Sequence, residues 1–270
     1  NIVLMTEVAP RITVSNTPAE NGKIIYTSSD PKTLTIDENG TITLVGAGTS
    51  YITVTFGETA NYSESTSEQI EVKVRRDELT INDFDYTIED KEYTGTEQGI
   101  EVTAKAGITG IGAITVSYNK VKVNEEGIIT ERTEIEGQPI KAGKYEVILN
   151  VARGTNYKAL VDEVLGIYEI TRLGQTKPEI TVTPTSVKMT DPAPVITINN
   201  KEVAEGTITY TSSNTDVLTI AEDGTVTIVG VGEAEITVTF GATEDYSAIT
   251  SDAIKVTVSK DTLEATDFDY

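Results

Sequence analysis

The sequence predicts an all-β protein built from tandem β-sandwich domains arranged end to end as an extended rod. Three observations predict it. First, apolar and polar residues alternate with a period of two, as in Ile236, Val238 and Phe240 against Thr237, Thr239 and Gly241. That is the pattern of a half-buried strand, and no stretch of ten or more residues carries the 3.6 period of a helix. Second, turn dipeptides punctuate the short apolar runs: Asn21-Gly22, Asn39-Gly40, Glu205-Gly206 and Asp223-Gly224. Third, the chain repeats itself.

Residues 1–86 align with residues 185–270 at a constant offset of 184 without a gap, and 44 of the 86 pairs are identical. An offset of 184 is too long for one sandwich of roughly 100 residues. The repeating unit is therefore a pair of modules, A then B. The boundaries read as 1–76 for the first A, 77–173 for B, 174–260 for the second A, and 261–270 for the start of another B. The segment Lys177 to Pro184 reads as an opening strand of the second A, and the first A has no counterpart of it. Residue 1 is Asn and both ends fall inside the repeat, so the natural protein is expected to continue in both directions.

Within A, Leu34-Thr35-Ile36 and Leu218-Thr219-Ile220 are short strands. The tetrapeptides 37–40 and 221–224 follow them as hairpin turns. Ile52-Thr53-Val54-Thr55-Phe56 and its copy at 236–240 are the long central strands, and Ile254, Val256 and Val258 mark the closing one. Each central strand is preceded by a glycine pair, Gly46-Ala47-Gly48 or Gly230-Val231-Gly232. Such a pair cradles phosphate only when a helix follows, and here a strand follows, so the reading is a tight turn or bulge. In B, residues 99–104, 113–118, 144–151 and 163–170 read as strands. The polar stretch 124–137 reads as a surface hairpin or a long loop. A tyrosine falls six residues after a strand-end apolar residue in all three modules, as Phe56 and Tyr62, Val151 and Tyr157, Phe240 and Tyr246. It is expected to anchor its ring under the penultimate loop, with ligand stacking as the alternative. The junctions, Val72 to Leu79 and Thr171 to Pro178, are too short for flexible linkers.

The residues of A carry a resemblance. The second copy reads Ile-Thr-Tyr-Thr-Ser-Ser at 208–213, Leu-Thr-Ile at 218–220, Asp-Gly-Thr-Val-Thr at 223–227, Gly230-Val231-Gly232, then Ile-Thr-Val-Thr-Phe at 236–240. This resembles the bacterial immunoglobulin-like domain of group 2, found in intimin- and invasin-type surface proteins. Tyr26 and Tyr210 stand where that family often has Trp. Tyr93-Thr94-Gly95, followed by Ala142-Gly-Lys-Tyr-Glu-Val147, is similar to the MBG-type repeats of bacterial surface proteins. The resemblance implies Ig-like sandwiches and an extracellular place on the bacterial cell surface. It implies a non-catalytic stalk segment that spaces a distal domain from the cell. The alternatives it leaves open are a module that binds a host protein or glycan directly, and an accessory region of a large secreted enzyme.

Composition bounds the chemistry. The 270 residues hold 43 Asp plus Glu against 21 Lys plus Arg, a net charge of −22, which repels nucleic acid and anionic lipid. With neither Cys nor His, thiolate sites, imidazole metal sites and His-dependent triads are ruled out. No apolar run approaches the roughly 18 residues needed to span a bilayer. Carboxylate pairs remain as catalytic candidates, but none sits in a distinctive context. No catalytic, cofactor or metal residue is therefore assigned, and the segment is expected to be a monomer whose host partners, if any, are contacted by other parts of the full protein. Asp83 and Asp85, with Asp267 and Asp269, lie at module boundaries where calcium is conceivable. The bland reading is a strand with Phe84 and Tyr86 partly buried and the acids solvated. A weak glycan site on B, and a Lys-Asn isopeptide crosslink with no pair to name, complete the candidates.

Overall fold

The computed structural model describes residues 1–15 and 22–262. The described residues contain no α-helix, only strands and two short 3-10 turns, Ile81–Asp83 and Lys201–Val203. The chain forms two compact units. The first holds Asn1–Glu89, Gly99–Gln138 and Tyr145–Tyr168; the second holds Asp90–Gln98, Pro139–Lys144 and the residues from Glu169 on.

The first A copy contributes β1 (Ile2–Leu4), β2 (Ile24–Ser28), β3 (Leu34–Ile36), β4 (Ile42–Leu44), β5 (Gly48–Phe56), β6 (Ser65–Thr66) and β7 (Ile70–Arg75). One sheet runs β1-β7-β5-β2, with β6 on the end of β5, and β1 lies parallel to β7. The hairpin β3-β4 forms the second layer, with Leu34 opposite Leu44 and Ile36 opposite Ile42. Alternation puts Leu34 and Ile42 inward from the hairpin, and Val3, Ile52, Val72 and Val74 inward from the sheet. Burying these side chains is the driving force for the sandwich, at about 1.5 to 3 kcal/mol for each large aliphatic.

The middle of the chain supplies β8 (Phe84–Tyr86), β9 (Lys91–Glu92), β10 (Val102–Ala104), β11 (Ile114–Val123), β12 (Ile129–Ile135), β13 (Gly143–Val151) and β14 (Leu160–Thr171). In the first unit β8 pairs β10, and the larger sheet runs β12-β11-β13-β14. The polar stretch 124–137 is a hairpin: Asn124 turns the chain by accepting the Glu126 and Ile128 amides at 3.1 and 2.8 Å, and Gly127 takes φ +79°. Three tyrosines, Tyr118, Tyr145 and Tyr168, are at most 2% exposed. The Tyr118 hydroxyl accepts the Ile100 amide at 2.7 Å, so its polar end is satisfied in the core. Burial raises the Tyr118 and Tyr168 hydroxyls above the ordinary tyrosine pKa. In the second unit the end of β14 lies parallel to β9, Ile170 beside Lys91.

The second A copy contributes β15 (Leu173–Gly174), β16 (Ile180–Thr183), β17 (Ser186–Lys188), β18 (Val195–Ile198), β19 (Ile208–Ser212), β20 (Leu218–Ile220), β21 (Val226–Ile228), β22 (Gly232–Phe240), β23 (Tyr246–Ser247), β24 (Ile249–Thr250) and β25 (Ile254–Ser259). The sheet β17-β25-β22-β19, with β24 on β22, and the hairpin β20-β21 match the first copy strand for strand. The opening strand expected from Lys177 to Pro184 is present as β16, antiparallel to β18 with Val182 opposite Ile196. The glycine pairs are turns into the central strands. A Cβ on Gly48 would fall 2.2 Å from the Thr33 hydroxyl, and Gly232 has φ +145°.

Candidate functional site

Three features merit a functional reading: a buried carboxylate in the middle module, a tyrosine loop that recurs in every module, and an apolar groove on the first A copy.

The carboxylate is Glu146 on β13, whose side chain is 3% exposed. Arg132 on β12 meets it through two nitrogens, both at 2.9 Å, and the Asn119 amide on β11 donates at 3.1 Å. The Arg132 hydrogen bonds hold the Glu146 carboxyl below the ordinary glutamate range, and Glu146 raises Arg132 in turn. A carboxylate kept ionised and occupied in this way is a poor proton donor near neutrality, and a glycosidase pair needs a second carboxylate across a cleft. The arrangement ties the hairpin to the sheet.

The junction acids behave differently. The Asp83 carboxylate accepts the Thr80 amide at 2.7 Å and the Thr80 hydroxyl at 3.1 Å, capping the turn that leads into β8. Phe84 is buried, Tyr86 half-buried and Asp85 exposed. Among the described residues no three acidic side chains converge as a metal site. Asp267 and Asp269 lie outside the described residues.

The tyrosine loop has one backbone form in all three modules. The amide three residues before the tyrosine donates to the tyrosine carbonyl: Thr59 to Tyr62 at 2.9 Å, Gly154 to Tyr157 at 3.1 Å, Thr243 to Tyr246 at 3.0 Å. In B and in the second A, the chain entering the module lies parallel to this loop. Asp77 bridges Tyr157, donating to the Asn156 carbonyl at 2.8 Å and accepting the Lys158 amide at 2.9 Å. Leu173 pairs with Tyr246 and donates to the Asp245 carbonyl at 2.9 Å. Arginine reinforces both: Arg76 donates to the Gly154 carbonyl at 2.8 Å and Arg172 to the Glu244 carbonyl at 3.2 Å.

The second unit adds more around this loop. The buried Asp245 takes Lys141 at 2.6 Å and the Ala142 amide at 2.8 Å, and it holds the Lys141 ammonium above the usual lysine range. The Tyr93 and Tyr246 rings meet edge to face with centroids 5.6 Å apart. Gln175 donates to the Gly241 and Ser247 carbonyls at 2.8 and 2.7 Å and accepts the Glu205 amide at 3.0 Å, so its buried amide is saturated.

The anchoring role expected of the tyrosine therefore holds unevenly. Tyr157 is 7% exposed and Tyr246 is half-buried, whereas Tyr62 is 52% exposed. For Tyr62 the expectation is corrected: among the described residues no strand pairs with its loop as Asp77 and Leu173 pair with the other two.

Beside Tyr62 lies an open groove of about 560 Å³, lined chiefly by Ile12, Val14, Ile24, Val54, Phe56 and Ile70. Among the described residues its polar lining is Ser, Thr and Tyr62. The Phe56 ring lies over Gly22, where a Cβ would fall 2.1 Å from it. Sequence reading did not find this groove.

No family model matches the chain, and no curated protein matches it. Among solved structures, Drosophila N-cadherin EC1-4 is 11% identical at a TM-score of 0.23, over 96% of this chain and 72% of that one. Domains 1–6 of the surface layer protein SbsC are 18% identical at a TM-score of 0.25, over 88% of this chain and 37% of that one. Invasin, a bacterial integrin-binding protein, is 15% identical at a TM-score of 0.25, over 89% of this chain and 52% of that one. The chain thus spans about half the length of the invasin structure and less of SbsC.

Proposed function

We propose that this chain is a non-catalytic spacer segment of a bacterial cell-surface, adhesin-like protein, made of alternating Ig-like modules of the group 2 and MBG types. One observation carries the reading. Both module entries, at Asp77 and at Leu173, use the same parallel bridge to the same kind of tyrosine loop. A main-chain bridge works for any side chain, so an A-B pair can be repeated without new recognition at each joint. The 184-residue repeat supports the same reading. The acidic surface serves solubility and discourages edge-to-edge association of sheets.

A spacer sets distance. Small-angle scattering on chains of one, two and three A-B pairs should show a maximum dimension that grows by a constant increment per pair. A dimension that does not grow with added pairs sinks the spacer role. The same chains, immobilised, should bind host cells no better than an unrelated acidic protein. Saturable binding that survives removal of both ends would assign the segment to recognition instead.

A further inference from the structure

The hairpins β3-β4 and β20-β21 hold the same place in the two A copies but tie their turns with different side chains. In the first, Asp37-Glu38-Asn39-Gly40 joins the strands. The Asp37 carboxylate accepts the Asn39 amide at 2.9 Å and the Thr41 amide at 2.8 Å, and the Gly40 amide donates to the Asp37 carbonyl at 3.1 Å. In the second the turn is Ala221-Glu222-Asp223-Gly224, and Asp223 itself accepts the Thr225 amide at 2.9 Å. The turn carboxylate has moved from the first position to the third. The asparagine stands in the copy that keeps an aspartate at the first.

Asn39 also differs from other asparagines of the chain. Asn119, Asn124, Asn150, Asn156, Asn200 and Asn214 all spend their carboxamides on hydrogen bonds. Asn39 is exposed, and its carboxamide bonds no described residue. Gly40 follows it with φ +76° and no side chain to crowd its nitrogen. Asn21 is also followed by Gly, and it lies outside the described residues.

We propose that Asn39 is a site of spontaneous covalent modification, hydrolysed to aspartate and isoaspartate, and that the Asp37 carboxylate sets the rate. The Gly40 nitrogen attacks the Asn39 Cγ. A new N–Cγ bond closes an imide ring, the Cγ–Nδ2 bond breaks, and Nδ2 leaves as ammonia with the proton given up by the Gly40 amide. Water then opens the ring. Opening at the side-chain carbonyl leaves aspartate at position 39, and opening at the main-chain carbonyl leaves isoaspartate, with the chain running through Cγ. Either product adds one negative charge. Before attack the Gly40 amide must leave the Asp37 carbonyl, so the tip of the hairpin has to open locally. The two bonds to the Asp37 carboxylate oppose that opening. The aspartate product fits the turn, because Asp223 holds that position in the second copy while Leu218 pairs with Ile228 and Ile220 with Val226. Isoaspartate lengthens the turn by one backbone atom and works against the pairing of Ile36 with Ile42. The inference does not rest on the spacer role and holds or fails without it.

The test uses the whole 270-residue chain, held folded in mildly alkaline buffer, with each asparagine followed by peptide mapping and mass spectrometry. Asn39 should convert at least about tenfold faster than Asn124, a hairpin asparagine whose carboxamide is occupied. A synthetic peptide of residues 33–45 should convert faster still, since an isolated two-stranded hairpin is marginal in water. Asp37→Ala should speed conversion in the folded chain by about tenfold, the effect of losing one or two hydrogen bonds. Asp37→Asn keeps an acceptor oxygen in the same place and should change the rate by less than about threefold. Hydrogen exchange at Leu34 and Ile42 checks that β3 and β4 stay paired in both variants. No conversion at Asn39 while the peptide converts, or a rate no higher than that of Asn124, overturns the site. An unchanged rate in Asp37→Ala, or equal acceleration by Asp37→Ala and Asp37→Asn, overturns the role of Asp37.

Discussion

The two A copies share half their residues and the same strand plan, yet their matching side chains differ in fate. Phe240 is wholly buried and Phe56 is not; Tyr246 packs on Tyr93 and Tyr62 faces solvent. In the second copy β15, Gln175 and β16 lie ahead of the aligned residues and close on that side of the module. The core proper (Leu34 and Ile52 in one copy, Leu218 and Ile236 in the other) is closed in both.

The sharpest way to break that comparison is to remove the phenylalanines. Phe240→Ala should cost about 3 to 5 kcal/mol, the usual range for a fully buried aromatic. Phe56→Ala should cost less than half as much, because part of that ring is already in water. A chain of several modules does not unfold in two states, so the measurement is native-state hydrogen exchange of β22 against β5. Equal costs would mean that β16 adds nothing to the packing of the second copy. Next in size is Gln175→Ala, which strands two carbonyls and one amide and should cost about 2 to 3 kcal/mol, read from exchange at β23 and β24. The first copy should not respond. A loss spread over both copies would show that Gln175 acts through something other than its three bonds.

Much of this was legible in the sequence, for a physical reason. Strand periodicity and Gly turns are local, and so β16, the hairpins and the central strands follow from the alternation of residues such as Ile236, Val238 and Phe240. The module entries were not legible, because a parallel main-chain bridge accepts Asp77 at one entry and Leu173 at the other. Nor was the fate of Tyr62, whose own neighbours in sequence resemble those of Tyr157 and Tyr246, because the chain that pairs with such a loop is remote in sequence. Glu146 was hidden differently. Strand alternation marks a Glu between Tyr145 and Val147 as outward, but Arg132 from the β12 hairpin covers that face and closes over it.

Smaller effects should come from the core substitutions between copies. Ser50, wholly buried, is Ala234 in the second copy. Its hydroxyl accepts the Asp30 amide at 3.1 Å and bonds the Ser28 hydroxyl at 2.9 Å. Ser50→Ala should cost about 1 to 2 kcal/mol by leaving the Asp30 amide without its partner. The reverse change, Ala234→Ser, should cost less than about 1 kcal/mol, since Ser212 stands at the Ser28 position to meet the new hydroxyl. Urea-dependent exchange of β5 and β22 would separate the two, and a larger cost for Ala234→Ser would show that the apolar version of this core has repacked.

The smallest expected difference is in acid. Asp30 and Asn214 occupy the same place in the two copies, and only Asp30 titrates. The Thr33 hydroxyl donates to Asp30 at 2.6 Å and the Lys32 amide at 3.1 Å, and these bonds, the threonine's first, lower its pKa from the ordinary aspartate value. A carboxyl with a lower pKa in the folded state adds stability above its unfolded value, about 3.9, and loses it as the pH falls through the folded one. The hairpin aspartates, Asp37 and Asp223, are both lowered as well, so their acid responses run in parallel in the two copies. Asp30 does not cancel. As the pH falls below about 4, protection of the segment 28–34 should decline faster than that of 212–218. Asp30→Asn should remove the excess. If the two segments lose protection together, or if Asp30→Asn leaves the difference intact, the acid sensitivity belongs to the open flank of the first copy and not to this turn.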